Sequence, residues 1–188
     1  YLKYTYTASE IQPDMLNADI TKTTDSPSWS GLYLQYFEKF DQVQQQKGIL
    51  SVTKKLFIEK IGSDGKQELL PLGKEKLKTG DKVITRLTLS LKQDMDFLYL
   101  KDFRAACFEP IGQLSGNQWK FGTVYYEESK DAVTNFFFNS LAKGTYVLEY
   151  PVWVNQAGTY QDGIATFQSM YAPEYTAYSE AGKITVTK

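Results

Sequence analysis

Two groups of carboxylates carry the densest potential chemistry in this sequence: Asp94, Asp96, Asp102 and Glu109 in one stretch, and Glu127, Glu128 and Asp131 in the next. Two carboxyls facing each other across a cleft, one with a raised pKa, would suit glycoside hydrolysis. Closeness in sequence does not supply that geometry, and these acids read as solvated loop residues, the usual setting of Asp and Glu. The stretches DGKQE and KQDMD alternate oxygen ligands as calcium loops do, but neither matches an EF-hand loop, and no metal site is assigned. Cys107 lies in RAACFEP, where Arg104 could lower its pKa; the simpler reading is a small buried residue. The chain has one cysteine and no histidine. An internal disulfide, a Cys/His zinc site and any Ser-His or Cys-His pair are therefore excluded.

The elements that must position these groups are strands. VITRLTLSLK alternates cleanly, with Leu87, Leu89 and Leu91 on one face and Arg86, Thr88, Ser90 and Lys92 on the other. LSVTKKLFIEK alternates through Leu50, Val52, Leu56 and Ile58, and its Lys54-Lys55 pair is read as a bulge or a change of face. Asp64-Gly65 supplies a hairpin turn. DFLYLKDF, TVYYEES, VTNFFFNSL, GTYVLEYPVWV, GIATFQSMY and KITVTK follow, nearly all separated by turn signals. Short strands at such spacing indicate an all-β antiparallel sandwich with few or no helices. Pro151 removes a ladder donor and places its strand at an edge or a bulge. Strands are also expected at residues 2–7 and 31–37, with a polar meander between them. A start in mid-strand is what a piece of a longer polypeptide would show.

With 21 basic and 22 acidic residues, the net charge of −1 gives no footprint for nucleic acid. No apolar run approaches the roughly 18 residues of a membrane span. Aromatic residues make up 15% of the chain. Tyr125-Tyr126 and Phe136-Phe137-Phe138 are consecutive, and neighbours along a strand point to opposite faces. One member of each run must leave the core, which implies an apolar docking surface. The loop SMYAPEYTAYSE poses the same question. Alternation puts Phe167, Ser169 and Tyr171 on one face and Met170 on the other, so at least one of Met170 and Tyr171 leaves the core.

Four stretches together resemble one family. FLYLKDFRAACFEP is similar to an L-x-D-x-R-x-A-x-F/L-E-P segment in the C-terminal domain of bacterial α2-macroglobulins. The run from Tyr125 to Tyr160 resembles that domain's YY…RD…FF…G-T-Y pattern, and residues 163–186 resemble its closing S-M-Y-x-P-E-F motif and final strand. WSGLYLQYFEKFDQV is similar to a stretch just before that domain, especially in long versions from Bacteroidetes. The family-motif positions are Asp102, Arg104, Glu109, Pro110, Tyr125, Tyr126 and Asp131. Leu34 departs from the family's Trp, and Lys130 from its Arg.

The resemblance implies a macroglobulin-like domain over 43–188, preceded in 1–42 by the closing strands and linker of a CUB-like domain. It implies a non-catalytic, cofactor-free part of a large protease-trapping polypeptide of the cell envelope, periplasmic or surface-exposed and part of a lipoprotein. Its partners would be the thioester and CUB-like domains of the same polypeptide, with target proteases engaged by the whole molecule. Met170, Tyr171, Pro173 and Glu174 would pack on the thioester domain and shield the thioester. The Cys-x-Glu-Gln thioester motif itself is absent here. The competing reading from the residues alone is a cell-surface β-sandwich module that binds glycan or protein.

Overall fold

The computed structural model describes residues 2–73, 76–112, 114–120 and 122–188. It divides into two units, residues 1–37 and 38–188. In the first, the described residues form one 3-10 turn, Pro13–Leu16, and otherwise irregular backbone. The strands expected at 2–7 and 31–37 are not formed. The physical reason is that a strand satisfies its N–H and C=O groups only through a neighbour, and among the described residues none pairs with these segments. Tyr4, Tyr6, Trp29, Tyr33 and Phe37 are correspondingly exposed.

Residues 38–188 build the expected sandwich. After a 3-10 turn at Phe40–Gln42 come β1 (Leu50–Ile61), β2 (Gln67–Pro71), β3 (Leu77–Lys78), β4 (Lys82–Leu91), β5 (Met95–Phe103), β6 (Phe108–Pro110) and β7 (Gly116–Lys120). Then come β8 (Thr123–Ser129), β9 (Val133–Leu141), β10 (Gly144–Val154), β11 (Gly158–Asp162), β12 (Ala165–Ser169), β13 (Thr176–Tyr178) and β14 (Gly182–Thr187). One sheet runs β2-β1-β4-β10-β6 and the other β13-β12-β5-β9-β8-β7; a small third sheet runs β11-β14-β3. All pairings are antiparallel except β14 with β3. Among the described residues no helix is long and apolar enough to cross a membrane.

Alternation decides which side chains meet between the sheets. The five-stranded sheet contributes Leu50, Val52 and Ile58 from β1, Val83, Leu87 and Leu89 from β4, and Leu148 and Val152 from β10. Facing them are Leu98 and Leu100 of β5, Phe136 and Phe138 of β9, Tyr125 of β8 and Phe167 of β12. Gly65 has φ 78°, as the β1–β2 turn requires, and Gly62 N–H closes the turn on the Lys66 carbonyl at 2.8 Å. The Pro151 carbonyl accepts from Ile111 N–H at 3.2 Å, so its ring nitrogen faces away from β4. Contrary to expectation, β10 is neither the edge strand nor bulged at Pro151: it lies between β4 and β6 and pairs unbroken with β4, and the proline fits because the ladder with β6 covers only Val152 to Val154.

One expectation about β1 fails instructively. The pairing of β1 with β4 is unbroken from Leu50–Leu91 to Glu59–Lys82. There is no bulge at Lys54-Lys55 and no change of face. Lys54 keeps the inward phase of Val52 and Leu56, and its side chain is only 3% exposed.

Candidate functional site

Two constellations stand out, a polar network inside the sandwich and an apolar knob at one end of the six-stranded sheet. The network is built because three strands each place a polar residue in core phase. Lys54 follows Val52 on β1, Asp102 follows Leu100 on β5, and Tyr150 follows Leu148 on β10. Lys54 Nζ lies 3.0 Å from Asp102 Oδ1 and 2.9 Å from Asp162 Oδ1. It also donates to the carbonyls of Phe103, at 2.7 Å, and Gly163, at 2.8 Å. An ammonium has three protons, so four oxygens this close saturate it. Tyr150 Oη donates to the second oxygen of Asp102. Arg104 lies beside this group, donating to Thr134 Oγ1 and to the Lys130 and Asp131 carbonyls.

Electrostatics follow from burial. Asp102 is 0% exposed and Asp162 16%. Burial alone would push Lys54 down, but the charges of Asp102 and Asp162 together outweigh it and hold the ammonium above its ordinary value. For Asp162 burial is the largest effect and raises the carboxyl; Lys54 reverses only part of that rise. Tyr150 is pushed well above the usual phenol range, first by burial and then by Asp102. Asp102 is thus no solvated loop acid, contrary to the sequence reading. The network joins β1 and β10 of one sheet to β5 of the other, and to β11.

The knob is built by the β12–β13 hairpin. The strands pair from Thr166–Tyr178 to Gln168–Thr176. The loop is closed by Ser169 N–H on the Tyr175 carbonyl at 3.1 Å and by Tyr175 N–H on the Ala172 carbonyl at 2.9 Å. Thr176 Oγ1 donates to the Pro173 carbonyl at 2.6 Å, and Ala172 N–H donates to Ser169 Oγ at 3.3 Å. Because β12 ends at Ser169, Tyr171 does not follow Phe167 inward. Met170 is 41% exposed and Tyr171 79%. Pro173 and Glu174 are exposed in the same loop.

The remaining sequence-derived positions divide between the sheets. Asp131 joins Arg104 through its backbone carbonyl only. Glu109 and Pro110 lie on β6, where Glu109 Oε2 accepts from Asn155 Nδ2 at 3.1 Å and Pro110 pairs with Val152. Tyr125 faces the core and Tyr126 faces outward, as the consecutive aromatics require. Phe136 and Phe138 point in; Phe137 points out, stacked on Tyr99 at 5.0 Å between ring centroids. Cys107 is buried, and burial lifts its thiol to about 11. Lys54, Tyr150 and Asp162 were missed in the sequence, although for the first two the signal was there: each interrupts an apolar alternation in phase.

These features define a macroglobulin-type antiparallel sandwich with an outward-facing hairpin. The chain belongs to the family described as the bacterial alpha-2-macroglobulin MG10 domain, whose model matches residues 50–174. No curated protein matches it. Among solved structures, Salmonella alpha-2-macroglobulin reacted with methylamine is similar over 78% of this chain and 10% of its own, at 20% identity and TM-score 0.59. Escherichia coli alpha-2-macroglobulin activated by porcine elastase covers 78% of this chain and 14% of its own, at 18% identity and TM-score 0.60. The native conformation of the Escherichia coli protein matches 83% of this chain and 10% of its own, at 18% identity and TM-score 0.59. At such identity the likeness is one of fold. The chain spans about a tenth of the length of the first structures it matches.

Proposed function

We propose that this chain is the non-catalytic C-terminal macroglobulin-like domain of a bacterial alpha-2-macroglobulin-like protease trap, and that its hairpin loop packs on and shields a thioester domain. The observation that carries the reading is the pair Met170 and Tyr171, held outward on a tightly closed loop. Met fills irregular apolar gaps, and Tyr brings a flat apolar body with a polar tip. Pro173 and the internal hydrogen bonds of the loop reduce the entropy lost on docking. Pro173 and Glu174 form the rim of the contact.

In this reading residues 1–42 are the closing strands and linker of a preceding CUB-like domain, and 43–188 are the macroglobulin-like domain. The division of the chain after Phe37 supports a boundary in this region. The exposed apolar side chains of residues 2–37 are those of strands awaiting sheet partners from elsewhere in the polypeptide. Proteases are engaged by the whole molecule, which lies in the cell envelope, periplasmic or surface-exposed, as part of a lipoprotein. No cofactor takes part.

The test is Met170→Ala and Tyr171→Ala in the full-length polypeptide, with methylamine as the probe of thioester exposure. Faster reaction and impaired protease trapping are expected. Unchanged rates would overturn the shielding role. A cell-surface glycan or protein module is the competing reading; it requires a native polypeptide near the 21.5 kDa of this chain.

A further inference from the structure

We propose that Phe97 is a third docking residue of the Met170–Tyr171 knob, kept there in a backbone conformation that its side chain disfavours. This rests on the shielding reading above and names a residue that the sequence did not single out for it.

Four observations meet at Phe97. It is the one non-glycine residue with positive φ, 53°, among the described residues. Such a conformation is uncommon outside Gly, Asn and Asp, and for a bulky residue it marks a turn or a functional constraint. Phe97 also lies inside β5 rather than in a turn, so chain reversal does not account for it. Phe97 is 48% exposed, on the face of β5 opposite the fully buried Leu98, as alternation requires. The ring meets Tyr171 edge-on, with centroids 5.3 Å apart and an interplanar angle of 86°. The Phe97 carbonyl accepts Met170 N–H at 2.9 Å. The turn of the backbone therefore serves both sides of the knob: the carbonyl fixes where Met170 begins, and the ring supports Tyr171.

A phenylalanine kept half in water at a strained position gives the domain alone little. The same ring, edge-on to Tyr171, adds apolar area to a loop whose Met170 and Tyr171 are also exposed. The occupant we assign is the thioester domain of the same polypeptide, since the matched alpha-2-macroglobulins are about ten times longer than the stretch they share with this chain. Asp96 adjoins Phe97 in the strand and Glu174 lies in the loop, both exposed, so a receiving surface with a basic rim would complement them.

The magnitude follows from area. An aromatic side chain buries roughly 150–250 Å² in full, so about half remains for Phe97 to bury on docking, worth roughly twentyfold to a hundred-and-fiftyfold in the docked-to-undocked ratio if all of it is covered. The experiment uses the full-length polypeptide with methylamine, read as thiol release. Phe97→Asn and Phe97→Gly tolerate positive φ and remove the ring; Phe97→Tyr keeps the ring; Tyr171→Ala serves as the reference. Expected are roughly tenfold or greater acceleration for Asn and Gly, rates near wild type for Tyr, and melting of the Asn and Gly variants within a few degrees of wild type. Acceleration by Tyr171→Ala without acceleration by Phe97→Asn or Phe97→Gly overturns the role of Phe97 and leaves the hairpin reading standing. No acceleration by any variant, or no methylamine-labile thiol, overturns both.

Discussion

Replacing Lys54 with Met probes the buried network most sharply, because it leaves Asp102 and Asp162 without their shared cation in the core. Removing one partner of a buried ion pair typically costs about 3–5 kcal/mol, since the remaining charge is neither paired nor hydrated. At roughly 2–4 °C per kcal/mol for a domain of this size, the melting temperature should fall by about 6–20 °C. The two carbonyls of Phe103 and Gly163 also lose their donor, which adds to the loss. The pH dependence carries the sign. The folded pKa of Lys54 is raised, so its contribution is fully present below the ordinary lysine value of 10.5. It is lost as pH climbs through the higher folded value. The Asp162 carboxyl is raised above 3.8, so its own titration favours the fold as pH falls through the raised value, an effect complete below 3.8. Without the ammonium, the burial of Asp162 loses its main counter-charge, and that carboxyl protonates at still higher pH. The deficit of Lys54→Met should therefore be largest near neutrality and narrow toward pH 4. Circular dichroism melts of wild type and variant from pH 7 to 4 measure both quantities. A fall of less than about 2 °C at pH 7, or a deficit that does not change with pH, would refute a dry ion cluster.

Other consequences follow from the same packing. Gly163→Ala would place a methyl 2.1 Å from the Phe103 carbonyl oxygen, a backbone atom that cannot swing away, and should destabilise the chain severely in a denaturant titration. Phe136→Ala empties a fully enclosed site between the sheets and should cost about 3–5 kcal/mol in the same titration. The Cys107 thiol, buried and lifted to about 11, should resist iodoacetamide at pH 8 in native buffer and react only in denaturant. Fast native labelling would contradict its burial.

Period-two alternation made the sandwich legible, because one face of each long strand must be apolar to meet the opposite sheet. The strand from Val83 to Leu91 and the consecutive aromatics at Tyr125-Tyr126 and Phe136-Phe138 were read correctly for that reason. The same rule was applied too narrowly at Lys54 and Asp102. A charged residue in core phase looks like an interruption until its partner is known, and the partners lie 48 and 108 residues away in the chain, on other sheets. Residues 2–7 and 31–37 show the opposite error, since alternation there is real but no strand among the described residues pairs with them. The exposure of Tyr171 turned on where β12 ends, which hydrogen bonds from Ser169 and Tyr175 decide and local pattern does not. Phe97 gave no signal at all, because a positive φ in a Phe has no signature in the sequence.

The most direct test of the proposed role is hydroxyl-radical footprinting of Met170 and Tyr171 in two samples, the full-length polypeptide and this chain alone. The account requires strong protection of both residues in the full-length protein and free oxidation in the chain alone, where they are 41% and 79% exposed. Equal oxidation in the two samples would mean that no other domain covers the hairpin, and the docking account would fail.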